Sequence, residues 1–97
     1  MPLLTGTYQT EHAAKYAAQL CKHFAHKTDA AYEGGHGHVQ FDLGRAEISA
    51  LADRMEVAFH LNDAADAERG RMVIDKHLAR FAFREEFEHL DWADVTP

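Results

Sequence analysis

The chain has 97 residues, of which 46% are hydrophobic and 27% charged, and it reads as one globular domain, 1–97. Ten Lys plus Arg against sixteen Asp plus Glu give −6 at pH 7, which argues against a nucleic-acid-binding surface. No run of about 18 apolar residues exists to span a membrane, and Met1–Thr5 lacks the basic and apolar regions of a signal peptide.

Leu3 to Tyr8 reads as a short strand carrying Thr and Tyr, with Gly6 as a bulge position. Thr10 follows as a helix N-cap, with Glu11 in the first turn. Ala13, Ala17, Leu20, Cys21 and Phe24 recur at helical spacing and form one apolar stripe. His12, Lys15, Gln19, Lys22 and His26 run down the opposite, wet side. This helix is expected to end near Lys27, where Lys22, His26 and Lys27 suit the negative end of the dipole.

From Ala30 to Leu61 the period changes to two, after a turn signal at Gly34-Gly35-His36-Gly37, and predicts a meander of four short strands. With turns centred on Leu43-Gly44 and Ala52-Asp53, Val39, Ile48 and Val57 lie side by side. Phe41, Ala46 and Phe59 do the same, and all six fall on one face. The other face carries His38, Gln40, Asp42, Arg45, Glu47, Ser49, Glu56 and His60, with Asp42, Arg45 and His60 in one row. Such a face can be solvated, can offer His and carboxylate to a metal, or can associate with a second copy in a homodimer.

Asn62 or Asp63 caps a second helix, whose inner stripe is Ala67, Gly70, Val73, Ile74, His77, Leu78 and Phe81. After Phe83 the apolar residues Phe87, Leu90 and Trp92 fit neither period, so a final strand and a packed tail both stand. Two helices with one apolar stripe each and a sheet with one apolar face predict a two-layer α+β fold. The expected form is an antiparallel sheet of about five strands with both helices on one face. The order strand, helix, four strands, helix is similar to TATA-binding-protein-like topology, and that similarity carries no function.

Two stretches, Leu20-Cys21-Lys22-His23-Phe24-Ala25-His26-Lys27 and His77-Leu78-Ala79-Arg80-Phe81-Ala82-Phe83-Arg84-Glu85, carry a further resemblance. Together they resemble a bacterial domain family of unknown function, found alone at about this length or fused to siderophore-interacting flavoproteins. The resemblance includes the strand after Gly37 and the Gly44-Arg45 turn and stops at Glu85. It implies a link to iron–siderophore handling, with a siderophore-interacting flavoprotein as partner, and no assigned reaction.

Lys22, Lys27, Arg80 and Arg84 lie in those two stretches. If the helix ends meet, they form a basic pocket for a carboxylate, a phosphate or an anionic chelate. The alternative is solvated charge, with Arg80 and Arg84 paired to Glu85, Glu86 or Asp75. His23 and His26 are one turn apart and can share a metal if a third ligand comes from elsewhere; otherwise they are polar residues at a helix end. His77 completes the candidate metal set, or it is a core histidine bonded to a backbone carbonyl.

Cys21 reads as a small buried hydrophobe, and as the only cysteine it makes no internal disulfide, which fits a reducing, cytoplasmic setting. His23 sits about 200° round the helix from it and is not its base. There is no Gly-rich phosphate loop, nucleophile elbow or Cys-pair zinc motif, so no catalytic residue is nominated and no cofactor is identified. Eight histidines would carry the net charge from −6 to +2 if all were protonated. The leading reading is a small cytoplasmic binding or accessory module in which Lys22, His23, His26, Lys27, Arg80 and Arg84 hold an anionic ligand or partner. A metal-binding protein using His23, His26 and His77, and an enzyme without a recognisable motif, are the alternatives.

Overall fold

A computed structural model describes residues 2–96. Strand β1 (Leu3–Gln9) leads into helix α1 (Ala13–Ala25). Strands β2 (Ala30–Glu33), β3 (His36–Phe41), β4 (Gly44–Ala50) and β5 (Arg54–Leu61) form the meander. A 3-10 turn, Ala64–Asp66, then feeds helix α2 (Ala67–Leu78). A second 3-10 turn, Phe83–Glu85, precedes a two-residue strand, β6 (Asp91–Trp92).

The sheet is antiparallel and runs β2-β3-β4-β5-β1-β6. It therefore has six strands rather than about five. The sixth is the tail, which adds to the free edge of β1 through Gly6 opposite Trp92 and Thr7 opposite Asp91. The first five strands and two helices follow the order expected from the periodicity.

Alternation puts Leu4, Val39, Ala46, Ile48, Met55, Val57, Phe59 and Leu61 on one face, all fully or nearly fully buried. Tyr16, Ala17, Leu20, Cys21 and Phe24 of α1 and Ile74 and Leu78 of α2 close over them in the same core. The layers are thus one sheet and one pair of helices.

The second hairpin has the expected register, Ile48 opposite Val57 and Ala46 opposite Phe59. The first is shifted by two residues: Val39 faces Ala46, and Phe41 faces Gly44 across an Asp42-Leu43 turn. A two-residue slip preserves the face, so the alternation could not detect it. The reason lies at Gly44, whose φ is +146° and where a Cβ would stand 2.1 Å from the His60 carbonyl oxygen. No other residue fits there, so the closing pair falls on Gly44. The outward row is consequently Gln40, Arg45 and His60, and Asp42 drops out into the turn.

Two local expectations are corrected. The β1–β5 ladder is continuous from Leu3 to Gln9, so Gly6 is no bulge. A Cβ on Gly6 would lie 2.6 Å from the Trp92 ring, so glycine there makes room for the tail. Thr10 does not cap α1 itself; its hydroxyl accepts the His12 N–H at 3.1 Å, one turn earlier. The N-cap position of α1 is His12, without a side-chain bond, and the helix ends at Ala25 with His26 as C-cap.

Candidate functional site

After α2 the chain turns back across the start of α1, and one carboxylate fixes that turn. Glu85 accepts hydrogen bonds from the hydroxyls of Tyr8 at 3.1 Å, Thr10 at 3.0 Å and Tyr16. Desolvation pushes the Glu85 carboxyl up, but the bonds from Tyr16, Thr10 and Tyr8 outweigh it and hold the group below its usual range. The tyrosines move the other way. Burial, then the bond to Glu85, pushes Tyr8 up to about 12. For Tyr16 the bond to Glu85 is the larger cause, and it too rises to about 12.

A second carboxylate, Asp75 on α2, is held by the tail. It accepts the Leu90 N–H and the Trp92 indole N–H, each at 2.9 Å. Desolvation raises its pKa against the pull of those two bonds. Glu85 and Asp75 were two of the three expected partners of Arg80 and Arg84, and both are engaged elsewhere. Among the described residues, no ion pair within 4.0 Å involves Lys15, Lys22, Lys27, Arg80 or Arg84.

Three of those cations share one cleft of about 320 Å³ between α1 and the turn after α2, lined by Lys15, Tyr16, Gln19, Arg80, Phe81, Phe83 and Arg84. Two features set this cleft apart. The Gln19 side-chain oxygen is buried and has no hydrogen-bond partner. Phe83 is 64% exposed, with the Arg84 guanidinium 5.8 Å from its ring centre. The Phe83 ring and the Arg84 guanidinium are thus both open to solvent rather than packed.

His23 forms a second cluster beside the cleft. Its ring lies 5.1 Å from that of His77, 5.2 Å from Phe24 and 5.9 Å from Phe81. The helices therefore do cross where His23 and His77 can meet. The His77 Nδ1 donates to the Val73 carbonyl at 2.7 Å, the usual bond of a histidine on an inner stripe. Desolvation, then the charges of His77, Arg80, Lys27 and His26, lowers the His23 pKa. Those four groups thus stand within electrostatic reach of His23. Arg80 belongs to both clusters.

The remaining candidates are spread around this centre. His26 is exposed at the end of α1. Lys22 is exposed on the same helix stripe as Lys15 and Gln19. Lys27 lines a separate shallow depression with Phe24, Phe41 and Val73. Among the described residues, no three His, Cys, Asp or Glu side chains are grouped to hold a metal ion. Cys21 is buried, and burial pushes its thiol up to about 11. On the open sheet face Glu47 lies 3.0 Å from His60 and 3.8 Å from His36.

Lys15, Gln19, Phe83 and Glu85 were not nominated from sequence. Lys15, Gln19 and Lys22 repeat at helical spacing along one side of the helix, which was a readable signal. Glu85 offered none, because its three hydroxyl donors come from β1, from the β1–α1 corner and from α1.

The architecture and the cleft define a small two-layer α+β domain with a cation-lined site between one helix and the turn after the other. The chain belongs to a family of uncharacterized proteins conserved in bacteria, DUF2218, whose profile matches residues 5–93. The match runs past Glu85 and takes in Trp92. The fold is similar to the NMR structure of PA4090 from Pseudomonas aeruginosa, with TM-score 0.77 and 29% identity over 96% of each chain. No curated protein matches the chain. No helix among the described residues is long and apolar enough to cross a membrane.

Proposed function

We propose that this chain is a binding module that holds a small anionic ligand in the cleft formed by Lys15, Arg80 and Arg84. One observation carries the reading: the cations converge on a cleft while Glu85, in the same turn, is held by three hydroxyls and Asp75 by the tail. An arginine without a carboxylate partner keeps its full fork of donors for a carboxylate or phosphate. Each charge-assisted hydrogen bond contributes about 1.5–3 kcal/mol, which suits reversible binding of a small ion. Lys22 and Lys27 add positive charge on and just beyond α1, and His23, 5.9 Å from the Phe81 ring, stands within electrostatic reach of Arg80 and Lys27. The iron–siderophore link implied by the resemblance suits such a site, since a ferric chelate of carboxylate ligands is an anion. In that setting the module serves a cytoplasmic siderophore-interacting flavoprotein as an accessory.

The test is titration of the isotope-labelled protein with citrate and with inorganic phosphate, followed by NMR. Saturable shifts are expected at Lys15, Gln19, Arg80 and Arg84. Arg80→Ala and Arg84→Ala should each weaken binding at least tenfold, and Arg84→Glu should abolish it. Shifts that grow linearly without saturation, or that are unchanged in Arg84→Glu, would sink the reading.

A further inference from the structure

We infer that the ligand of this cleft is a planar aromatic anion carrying a hydrogen-bond donor on its ring. This rests on the anion-binding reading above and narrows it. A bare anion would leave parts of the cleft unused.

Arg80, Arg84 and Lys15 account for a carboxylate or a phosphate. They do not account for Phe83, which is 64% exposed beside them when nothing in the fold requires an exposed phenyl ring there. Phe81 also lines the cleft and is only partly buried, packed against the core. Two aromatic side chains with a guanidinium 5.8 Å from one ring centre favour a flat π-system over a tetrahedral ion or a bulky aliphatic one. The Gln19 oxygen is the third unused part. It is shut off from solvent and has no partner, which is costly, and a turn of the Gln19 amide into the cleft it lines brings the oxygen to a donor. A ring hydroxyl or amine supplies that donor. The cleft, at about 320 Å³, is at the small end of ligand pockets, roughly 300–1,000 Å³, which suits a ligand of one or two rings.

Four probes separate these contributions: 4-hydroxybenzoate, benzoate, cyclohexanecarboxylate and inorganic phosphate, each titrated by NMR against the whole chain. The expected order is 4-hydroxybenzoate tightest, benzoate next, and cyclohexanecarboxylate at least tenfold weaker than 4-hydroxybenzoate. Phe83→Leu, at an exposed position, should cut that preference below threefold. Gln19→Leu should make 4-hydroxybenzoate and benzoate equal. If cyclohexanecarboxylate and phosphate bind at Arg84 as tightly as 4-hydroxybenzoate, the aromatic inference fails while the anion reading stands. If none of the four moves the Arg80 and Arg84 signals saturably, both fail.

Discussion

The Trp92 indole N–H donates to Asp75 Oδ2 at 2.9 Å, and this bond joins the last strand to the second helix. The other Asp75 oxygen accepts the Leu90 N–H at the same distance. One carboxylate on α2 therefore satisfies two donors of a tail whose own ladder has only two residue pairs. The Trp92 ring lies against Gly6 on β1, so α2, the tail and β1 meet at one point.

Removing the Asp75 carboxylate should release that tail. Asp75→Ala leaves two part-buried donors unpaired, and a loss of about 2–4 kcal/mol is expected from the range for such groups. Gly6→Ala should cost about 1–3 kcal/mol through overpacking, because its Cβ would stand 2.6 Å from the indole. In a Trp92→Ala background the same change should cost about 1 kcal/mol or less. Urea melts of the four proteins close the cycle. An equal cost of Gly6→Ala in both backgrounds would show that the ring does not occupy that space.

Glu85 holds the turn that presents Arg80 and Arg84, and its own titration should report this. Its carboxyl lies below the ordinary value of 4.5, so its contribution is fully present above that pH. The contribution is lost as pH falls through the lower folded value. Glu85→Gln should flatten the acid limb of the stability curve. It should also lower both tyrosine pKa values from about 12, and Tyr16 further than Tyr8. The difference follows because the Glu85 bond is the main cause at Tyr16 and burial is the main cause at Tyr8. Tyrosine ring carbon shifts followed against pH would resolve the two, and an unchanged Tyr16 would show that the contact is absent in solution.

Where side-chain period alone decides structure, the sequence was readable. The stripe Ala13, Ala17, Leu20, Cys21 and Phe24 is the buried face of α1, with Tyr16 added. The alternation through Val39, Ile48 and Val57 lines the core. What period cannot see was missed. The slip at Gly44 conserves every face, so only a backbone approach to His60 sets it. The strand Asp91–Trp92 is too short to show alternation and depends on Asp75, sixteen and seventeen residues upstream. The site was half legible for the same reason. Arg80 and Arg84 were visible as charges, but their lack of partners depends on where Glu85 and Asp75 reach in three dimensions.

His23 should make the fold sensitive to mild acid. Burial and the neighbouring charges of His77, Arg80, Lys27 and His26 lower its pKa, so the folded state resists its protonation. The sign follows: stability is full above the unfolded value of about 6.5 and is lost as pH falls toward the folded value. His23→Leu keeps an apolar group against Phe24 and Phe81 and removes the proton site. The melting temperature of the natural chain should therefore drop more steeply between pH 7 and 5 than that of the variant. His89 acts in the opposite sense, because its bond to the Leu90 carbonyl raises its pKa, so the two curves must be compared as a difference. Parallel curves would mean that His23 protonates as freely in the folded chain as in the unfolded one.

Cys21 is a test of how tightly the two layers close. Its side chain is buried in the core, and burial pushes the thiol up to about 11, so at pH 8 little of the reactive thiolate exists. A disulfide reagent can reach it only through opening of the fold. Labelling should then be slow in buffer and rise with urea along the slope of global unfolding, since α1 packs over β2, β3, β4 and β5 at once. Destabilising the distant tail with Asp75→Ala should speed labelling by about the ratio of the two unfolding constants. That link holds if the layers open as one unit. Fast, stoichiometric labelling in buffer would instead mean that α1 opens alone, and the cleft residues it carries, Lys15 and Gln19, would then move independently of Arg80 and Arg84.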